Sequence, residues 1–387
     1  MDSFACRITR RDAGALCLKQ AMATPRPHLF VDISAHGFGH LAQAAPVLNA
    51  LARRLPVLRF TIRSGLPTGK LQARLAIEFT HLTASSDFGY VMHDATRVDL
   101  AATALAYRSQ HADWENRVAA EARLLAELQP DLVLSDVAYL PLAGATRAGI
   151  ASVAMCSLNW AELFAHFFAG EKWAAVIHHQ MLTAYNGAAC FLRLTPGMAM
   201  AELSRVRNIG PVAALGRECR QALREQLRCA SDERLVLIAF GGIDMQLPIA
   251  EWPSVAGVRW LVPQAWRLAC PSASDFDPLD RPFTDILRSV DAVIAKPGYG
   301  TFTEAACNRT PVLYLRRQDW PEQDCLISWL QRHARCREIS QAHLLAGHLE
   351  GALAALWQQD APPAPVPSGA DEAAQALLPW LTREDVG

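Results

Sequence analysis

The chain has 387 residues, of which 51% are hydrophobic and 19% are charged. This length exceeds what a single hydrophobic core ordinarily organises, so it predicts two globular domains. Lys plus Arg number 37 and Asp plus Glu number 38, and this balance argues against a nucleic-acid partner. Every apolar run is shorter than the roughly 18 residues that span a bilayer, so we expect no transmembrane segment and a cytoplasmic protein.

The ten cysteines show no CxxC pair and no regular spacing. Scattered cysteines among apolar residues are typical of reduced cytosolic thiols, and structural zinc is not expected. Residues 1–27 are rich in arginine and poor in acids. We interpret them as a leader outside the fold, disordered or not native, with Met22 as the natural start. A transit peptide is the alternative.

From His28 onward, short apolar runs alternate with segments of helical periodicity. The predicted strands, in chain order, are HLFVDIS, VLRFTIRS, IEFTHLT, DLVLSDV, ASVAMCS, AACFLRL, RLVLIAF, GVRWLVP, DAVIA and PVLYL. The predicted helices cover 41–54, 98–128, 140–148, 160–185, 217–229, 283–289, 300–308, 322–333, 341–357 and 371–383. Strands separated by helices indicate parallel sheets that are covered on both faces.

This alternation is interrupted at 195–215, a segment with little periodicity and two Pro-Gly or Gly-Pro breaks, which predicts an interdomain linker. We therefore expect an N-terminal Rossmann-like domain over 28–205 and a C-terminal one over 206–360. A proline-rich strap and a last helix occupy 361–387. The predicted fold class is α/β, with two doubly wound units facing across a cleft. In such sheets, ligands bind at the carboxyl ends of the strands.

The first predicted strand ends in the loop HGFGH, which leads directly into a helix. Gly37 and Gly39 permit a tight turn, and the start of the helix offers free N–H groups and a positive dipole end. His36 and His40 flank these glycines, either as chemical groups or as turn residues bonded to the backbone. A dinucleotide-binding loop would have a third glycine where Ala42 stands, so a nicotinamide cofactor is not expected.

Asp136 ends the predicted strand DLVLSD, so it belongs to the same sheet edge as the HGFGH loop. A carboxylate bonded to one imidazole nitrogen orients the ring and raises its basicity, and the other nitrogen can then accept a proton. The alternative is that Asp136 caps the following helix. We expect His40 to be the base with Asp136 behind it, and His36 to shape the turn or contact a ligand.

Three turns in the second half carry polar groups at predicted strand ends. Gly298, Gly300 and Thr301 open a helix whose N-terminus can bind a phosphate. Glu304 follows one turn later, where its carboxylate can bind both hydroxyls of a ribose. The other two turns carry Gly241, Gly242, Asp319 and Gln323. An ordinary capped βαβ unit is the alternative for any one turn, whereas three polar turns at one edge favour a ligand site.

These segments together resemble a GT-B glycosyltransferase. The chain is similar to the branch that contains the bacterial lipid II N-acetylglucosaminyltransferase, and most similar to the glycosyltransferase-like N-terminal part of L-arabinokinases. The resemblance covers about residues 28–360 and rests on HGFGH, DLVLSDV, Asn159–Trp160 and KPGYGTFTEA…PVLYL…DWPEQ, in that order. The chain departs from the arabinokinase pattern at Ala35 and at LAQ after His40, so we expect some ligand contacts to differ.

The resemblance implies that a nucleotide-sugar donor binds the C-terminal half. Glu304 would hold the ribose, the KPGYGT glycines and Thr301 would face the diphosphate, and Asp319 and Gln323 would approach the sugar. Lys296 and the Gly241–Gly242 turn complete the implied donor-binding set. In the other half, the resemblance implies His40 as base and Asp136 as its partner. The acceptor or loop region would comprise His36, Gly37, Gly39, Asn159 and Trp160.

The first hypothesis is an inverting, metal-independent, hexosyltransferase-like enzyme. Its donor would be a nucleotide sugar, expected to be UDP-linked, which acts as co-substrate without any bound cofactor. The second hypothesis is a non-catalytic nucleotide-sugar sensor or partner module, which would have no use for a base at His40. An epimerase on the same fold would require more carboxylates in the cleft than the sequence offers. Small-molecule, lipid and polymer acceptors all stay open.

Overall fold

The computed structural model of the protein describes residues 26–241 and 245–382, so the predicted leader lies outside the described residues except for its last two. The first half contains, in chain order, β1 (His28–Ile33), α1 (Gly39–Arg54), β2 (Arg59–Arg63), α2 (Thr68–Gln72), β3 (Thr80–Leu82), β4 (Met92–Asp94), β5 (Arg97–Val98), α3 (Leu100–Ala112), α4 (Trp114–Leu128), β6 (Leu132–Asp136), α5 (Leu140–Ala148), β7 (Ser152–Cys156), α6 (Trp160–Phe168), α7 (Ala174–Gly187), β8 (Cys190–Leu194) and β9 (Val206–Ile209).

The second half contains α8 (Arg220–Gln226), β10 (Arg234–Ala239), β11 (Val258–Val262), β12 (Ala273–Asp275), α9 (Phe283–Ser289), β13 (Ala292–Ala295), α10 (Tyr299–Cys307), β14 (Val312–Tyr314), α11 (Gln323–His333), β15 (Cys336–Glu338), α12 (Gln341–Leu345), α13 (Glu350–Trp357) and α14 (Gly369–Leu381). In the described ranges, no helix combines the length and apolarity needed to cross a bilayer.

Two parallel sheets organise the described part of the chain. The first has seven strands in the order β3-β2-β1-β6-β7-β8-β9, and the second has six in the order β12-β11-β10-β13-β14-β15. The strands β4 and β5 form a separate antiparallel pair. The predicted fold class, a doubly wound α/β chain with two Rossmann-like units, is confirmed.

The centre of the first sheet explains why the predicted site residues converge. All six residues of β1 are buried, as expected for a central strand of a covered parallel sheet. β1 pairs in parallel with β6 in a register that places Ile33 beside Asp136. The loop after β1 and the side chain that ends β6 therefore lie at the same edge of the sheet.

The sequence prediction was wrong in three details. The predicted linker 195–215 contains β9, which pairs with β8, so the predicted domain boundary falls before the last strand of the first sheet. The helices predicted at 98–128, 160–185 and 341–357 are each two helices. They break at Asp113, between Phe168 and Ala174, and near Gly347, where φ is +70°. The strands β4, β5, β12 and β15, none longer than three residues, were not predicted, because none of them lies in a longer apolar run.

The last helix returns from the second half to the first. α14 packs along α1, and Arg54 of α1 pairs with Asp371 of α14 at 2.5 Å. The backbone N–H of Gly210 donates to Glu372 at 2.9 Å. The proline-rich strap and α14 therefore tie the end of the chain to the first half.

The first turns of α1 and α10 meet between the two halves. A Cβ atom at Gly300 would lie 2.7 Å from Cβ of Ala42 and 3.7 Å from Cα of Gly39. A side chain at position 300 is therefore excluded by the facing helix. The absence of a Cβ at this position sets how closely the two halves approach.

Gly300→Ala is expected to destabilise the protein by about 1–3 kcal/mol, the usual cost of overpacking, although alanine is the better helix former. Gly298→Ala is the matched control, because a Cβ there would meet only the Lys296 carbonyl oxygen, at 3.9 Å. Urea denaturation measures the free energy of unfolding. Pairing Gly300→Ala with Ala42→Gly should recover most of the loss, and equal stability of the two single variants would contradict the close approach.

Candidate active site

A cavity lies between the two halves, at the carboxyl ends of both sheets. Five loops line it, and these follow β1, β7, β10, β13 and β14. Its volume is about 90 Å³, far below the roughly 300 Å³ at which pockets for small ligands begin. Because ligands of parallel α/β sheets bind at this edge, the cavity is the candidate active site.

Most of the predicted site residues line this cavity. They are His36, Gly37, Gly39, His40, Gly241, Lys296, Gly298, Gly300 and Thr301. Gly242 lies outside the described residues. The structure thus brings the HGFGH loop of the first half and the KPGYGT loop of the second half to one cavity.

His40 and Asp136 lie within hydrogen-bond reach of each other, as the sequence predicts. Nδ1 of His40 is 3.3 Å from Oδ1 of Asp136, and the side chains are 7% and 0% exposed. The second carboxylate oxygen, Oδ2, has no hydrogen-bond partner among the described residues. Asp136 does not cap α5, which begins after Tyr139 without a side-chain cap. The carboxylate therefore orients the ring through Nδ1, and Nε2 is the nitrogen left for a reactant.

This pairing shifts the pKa of His40. Burial alone would lower that pKa, but the charge and hydrogen bond of Asp136, together with Cys156, raise the pKa of His40 well above its usual range. Burial raises the pKa of Asp136, and the charge of His40 opposes this rise. An imidazole with a raised pKa is a stronger base, which is the property needed to accept a proton from a hydroxyl group.

Cys156 ends β7 beside this pair, with Sγ 3.9 Å from Nδ1 of His40. Burial raises the pKa of Cys156 to about 11, so the thiol is protonated at neutral pH. The ligand atoms of Cys156, His40 and Asp136 all lie within 4.8 Å of one another, a spacing that a transition metal could accept. Metal binding would require the thiol to lose its proton, and metal independence stays a prediction.

His36 lines the same cavity in the opposite electrostatic setting. Burial, followed by the charge of His40 and of two nearby cations, lowers the pKa of His36 well below its usual range. Its ring stacks on Trp320 with 6.1 Å between centroids and 19° between planes. A Cβ at Gly89, where φ is +63°, would lie 2.6 Å from Cγ of His36. His36 is thus a neutral, wedged ring that shapes the loop.

Asn159 and Trp160, predicted for the acceptor or loop region, lie behind the cavity. Oδ1 of Asn159 accepts from the backbone N–H of Glu162 at 2.8 Å and so caps α6. Trp160 is fully buried, and its Nε1 donates to Asp87 at 2.7 Å. Its ring centroid lies 5.9 Å from that of His40. Trp160 thus packs against both histidines of the HGFGH loop, and Asn159 fixes the start of the helix that carries Trp160.

Arg317, in the loop after β14, brings an unsatisfied positive charge to the opposite wall. It is 6% exposed, and its Nε and Nη2 have no hydrogen-bond partner among the described residues. Its guanidinium lies 3.7 Å above the Trp320 ring. Burial lowers the pKa of Arg317 to about 10, against the opposing charges of Glu322 and Asp94. Because such a buried cation is costly without a partner, Arg317 marks an anion site.

Lys296 follows β13 on the same wall. Burial and the charge of Arg317 lower the pKa of Lys296 to about 7, and Glu322 opposes this shift. Residues 298–301 line the cavity, so the positive end of α10 faces it as well. A helix N-terminus beside two cationic side chains suits a phosphate or diphosphate group.

Glu304 does not line the cavity in this structure, and its contact with a ribose stays a prediction. It is 1% exposed, and its carboxylate accepts from both terminal nitrogens of Arg74, with Nη2 at 3.3 Å. Burial raises the pKa of Glu304, and the charge of Arg74 opposes this rise. The carboxylate expected to hold a ribose is therefore occupied by an arginine of the other half.

Asp319 and Gln323 also differ from their predicted roles, because neither lines the cavity. The Asp319 side chain is 60% exposed and accepts from Nε2 of His166 at 2.9 Å. The Gln323 amide bonds both backbone groups of Arg317, accepting from its N–H at 3.0 Å and donating to its carbonyl at 3.2 Å. Gln323 thus fixes the loop that carries Arg317.

Arg317, Trp320 and Glu322 line the cavity but were not predicted. Glu322 accepts from the hydroxyl of Ser157 at 2.6 Å and from Nε1 of Trp320 at 3.1 Å, so it joins the two halves. The charged run RRQDWPEQD after a buried strand was the available signal. Its pattern does not say which of its side chains turn towards the cleft.

No protein-family model matches the chain. The chain is similar to an L-arabinokinase of Arabidopsis thaliana, with 26% identity over 335 residues. The match covers 81% of this chain and 30% of that protein, so the chain spans less than a third of the length of this relative.

Solved structures share the architecture. Arabidopsis thaliana UGT89C1 has a TM-score of 0.58 at 15% identity, covering 92% of this chain and 99% of that one. A UDP-glucosyltransferase from Polygonum tinctorium capable of glucosylating indoxyl has a TM-score of 0.57, with the same identity and coverage. A protein assigned as a UDP-N-acetylglucosamine 2-epimerase of Listeria monocytogenes has 0.54 at 13% identity, covering 91% and 95%.

These similarities define the fold class. The chain has the GT-B fold, with two Rossmann-like domains that face each other across a cleft. The same architecture appears in transferases and in a protein assigned as an epimerase, so the reaction must be argued from the site.

We expect a diphosphate that enters this cavity, for which UDP is the test compound, to bind with uptake of protons at pH 8. Lys296, with a pKa of about 7, is then mostly neutral in the free protein, and an adjacent diphosphate raises that pKa. By linkage, UDP affinity falls as the pH rises above 7. Calorimetry in buffers of different ionisation enthalpy measures the uptake. Lys296→Arg, which keeps its positive charge, should bind UDP without taking up a proton. Equal proton uptake by both proteins would contradict the assignment of the uptake to Lys296.

Proposed function

We propose that the protein is an inverting glycosyltransferase that moves a sugar from a UDP-sugar to an acceptor hydroxyl. One observation carries the proposal: His40, backed by the buried Asp136, and the buried Arg317, whose Nε and Nη2 have no hydrogen-bond partner among the described residues, line the same narrow cleft. The histidine with its carboxylate can accept a proton, and the arginine can bind an anion. Glycosyl transfer from a nucleotide sugar needs both at once.

The proposed reaction is a single displacement. Nε2 of His40 takes the proton of the acceptor hydroxyl as its oxygen forms a bond to the anomeric carbon. The bond between that carbon and the diphosphate oxygen breaks, the configuration inverts, and the electron pair leaves with the diphosphate. Asp136 holds the ring in place and stabilises the imidazolium that forms.

Charges of the protein itself would stabilise the leaving diphosphate. The positive end of α10, Arg317 and Lys296 form one wall of the cavity. Each stabilises negative charge where it develops in the transition state, in a site that excludes most water. The proposal therefore assigns no step to a metal ion.

The choice of UDP rests on resemblance. The KPGYGTFTE segment resembles the donor loop of UDP-sugar transferases, and the similar structures include a UDP-glucosyltransferase. Because the cavity is too small for a nucleotide sugar, donor binding requires the halves to separate. The Arg74–Glu304 ion pair joins the halves, so we propose that it opens when Glu304 takes the ribose.

UDP should raise the temperature of thermal unfolding more than ADP or GDP at equal concentration. Arg317→Ala should weaken UDP binding at least about tenfold, because it removes charge-assisted hydrogen bonds to the diphosphate. Arg316→Ala is the matched control, since its neighbouring guanidinium pairs with the exposed Asp324. Equal shifts for all three nucleotides would contradict the donor assignment.

His40→Ala should lower the rate of UDP release from UDP-sugars, with acceptor hydroxyls present, by about 10²–10⁴-fold while UDP affinity is kept. His36→Ala should lose less, because that ring is neutral and wedged. In the wild type the rate should rise with pH through a pKa above 6.5, and Asp136→Asn should move this limb to lower pH. UDP binding without turnover in the wild type would instead favour the sensor hypothesis.

Arg74→Ala should raise UDP affinity, because it frees the Glu304 carboxylate and removes an ion pair that holds the halves together. Arg54→Ala, which removes the exposed pair with Asp371, is the control and should leave UDP affinity unchanged. Calorimetric titration with UDP measures both. Unchanged or weaker UDP binding by Arg74→Ala would show that Glu304 is a structural residue.

A further inference from the structure

A second cavity lies at the opposite edge of the second sheet, where its strands begin. Arg234 is the first residue of β10, and Asp291, Pro311 and Arg335 directly precede β13, β14 and β15. The six residues of β10, at about 3.3 Å each, place this edge roughly 20 Å from the active-site cleft. The cavity has a volume of about 500 Å³, which is within the range of small-molecule pockets.

The lining of this cavity is strongly basic. Its arginines come from five separate segments, and they are Arg220, Arg234, Arg288, Arg309 and Arg335. Glu218 and Asp291 are the carboxylates of the lining. The chain as a whole has a net charge of −1, so this local excess of positive charge is a property of the site.

Two of the five arginines already have partners within the lining. Arg220 pairs with Asp291 at 2.5 Å, and the other Asp291 oxygen accepts from the backbone N–H of Leu235 at 2.8 Å. The Arg234 guanidinium lies 4.1 Å above the ring of Trp357. Both Asp291 oxygens therefore already accept a hydrogen bond within the lining, and Trp357 forms one wall of the cavity.

The remaining arginines have no such partner. Among the described residues, the side chains of Arg288, Arg309 and Arg335 make no hydrogen bond or ion pair. Arg288 and Arg309 are exposed and Arg335 is half-buried, so water screens part of the repulsion between these like charges. An anion bound between them would relieve the rest of this repulsion. The planar guanidinium offers two parallel N–H donors that match phosphate oxygens, and several such groups can bind a multivalent phosphate together.

We propose that this cavity binds a small anion that carries two or more phosphate groups. Arg288, Arg309 and Arg335 hold the anion, while Arg220 and Arg234 stay with Asp291 and Trp357. The site is separate from the proposed donor cleft and does not depend on the proposed reaction, because the second sheet lies between the two.

Inorganic pyrophosphate is the probe, titrated by calorimetry against NaCl at matched ionic strength. The test variant is R309A/R335A, with R309Q/R335Q in its place if the alanine pair fails to fold. The matched control is R53A/R123A, which removes two exposed arginines of the first half. Arg317→Ala is a second control, because it removes the unpartnered guanidinium of the cleft.

We expect the wild type, R53A/R123A and Arg317→Ala to bind pyrophosphate at this site with similar affinity. R309A/R335A should bind pyrophosphate at least about tenfold more weakly. The UDP binding that Arg317→Ala weakens should be unchanged in R309A/R335A, which separates this site from the donor cleft. The proposal is overturned if pyrophosphate has no effect beyond matched NaCl. It is also overturned if R309A/R335A binds like R53A/R123A, or if Arg317→Ala alone abolishes binding.

Discussion

The contact between the first turns of α1 and α10 determines the geometry of the cleft. It exists because position 300 has no Cβ, which lets the two helices approach at Ala42. The same contact brings the loop after β1 and the loop after β13 to one cavity, with the positive end of α10 among its walls. The chemistry that we propose needs the proton acceptor and the anion site beside one anomeric carbon, so halves that separate to admit the donor must return to this contact before transfer.

The two walls of the cleft differ in their charged groups. The pKa values of the two histidines in the HGFGH loop shift in opposite directions. Asp136 raises the pKa of His40, whereas burial and nearby positive charge lower the pKa of His36. Across the cavity, Arg317 is buried without a complete set of partners. The proposed base is thus a histidine that has a carboxylate partner, and the proposed anion site contains an arginine that lacks one.

Features that depend on neighbouring residues in the sequence were predictable, whereas contacts between distant residues were not. The alternation of apolar runs and helical periods predicts the two sheets, and a shared strand edge predicts that His40 meets Asp136. Glu304 was assigned from its motif, but its partner Arg74 lies 230 residues earlier and is brought there only by the packing of the halves. Within RRQDWPEQD, the backbone contacts of Gln323 turn Arg317 inward, and no residue pattern encodes that choice.

A crystal structure of the protein with bound UDP tests the central claim most directly, because it shows whether a diphosphate in the anion site lies beside the proposed base. The account predicts the diphosphate within hydrogen-bond distance of Arg317 and of the N–H groups that begin α10, with its terminal phosphate directed towards His40. A nucleotide bound elsewhere, or a diphosphate without contact to Arg317 and α10, would contradict the account.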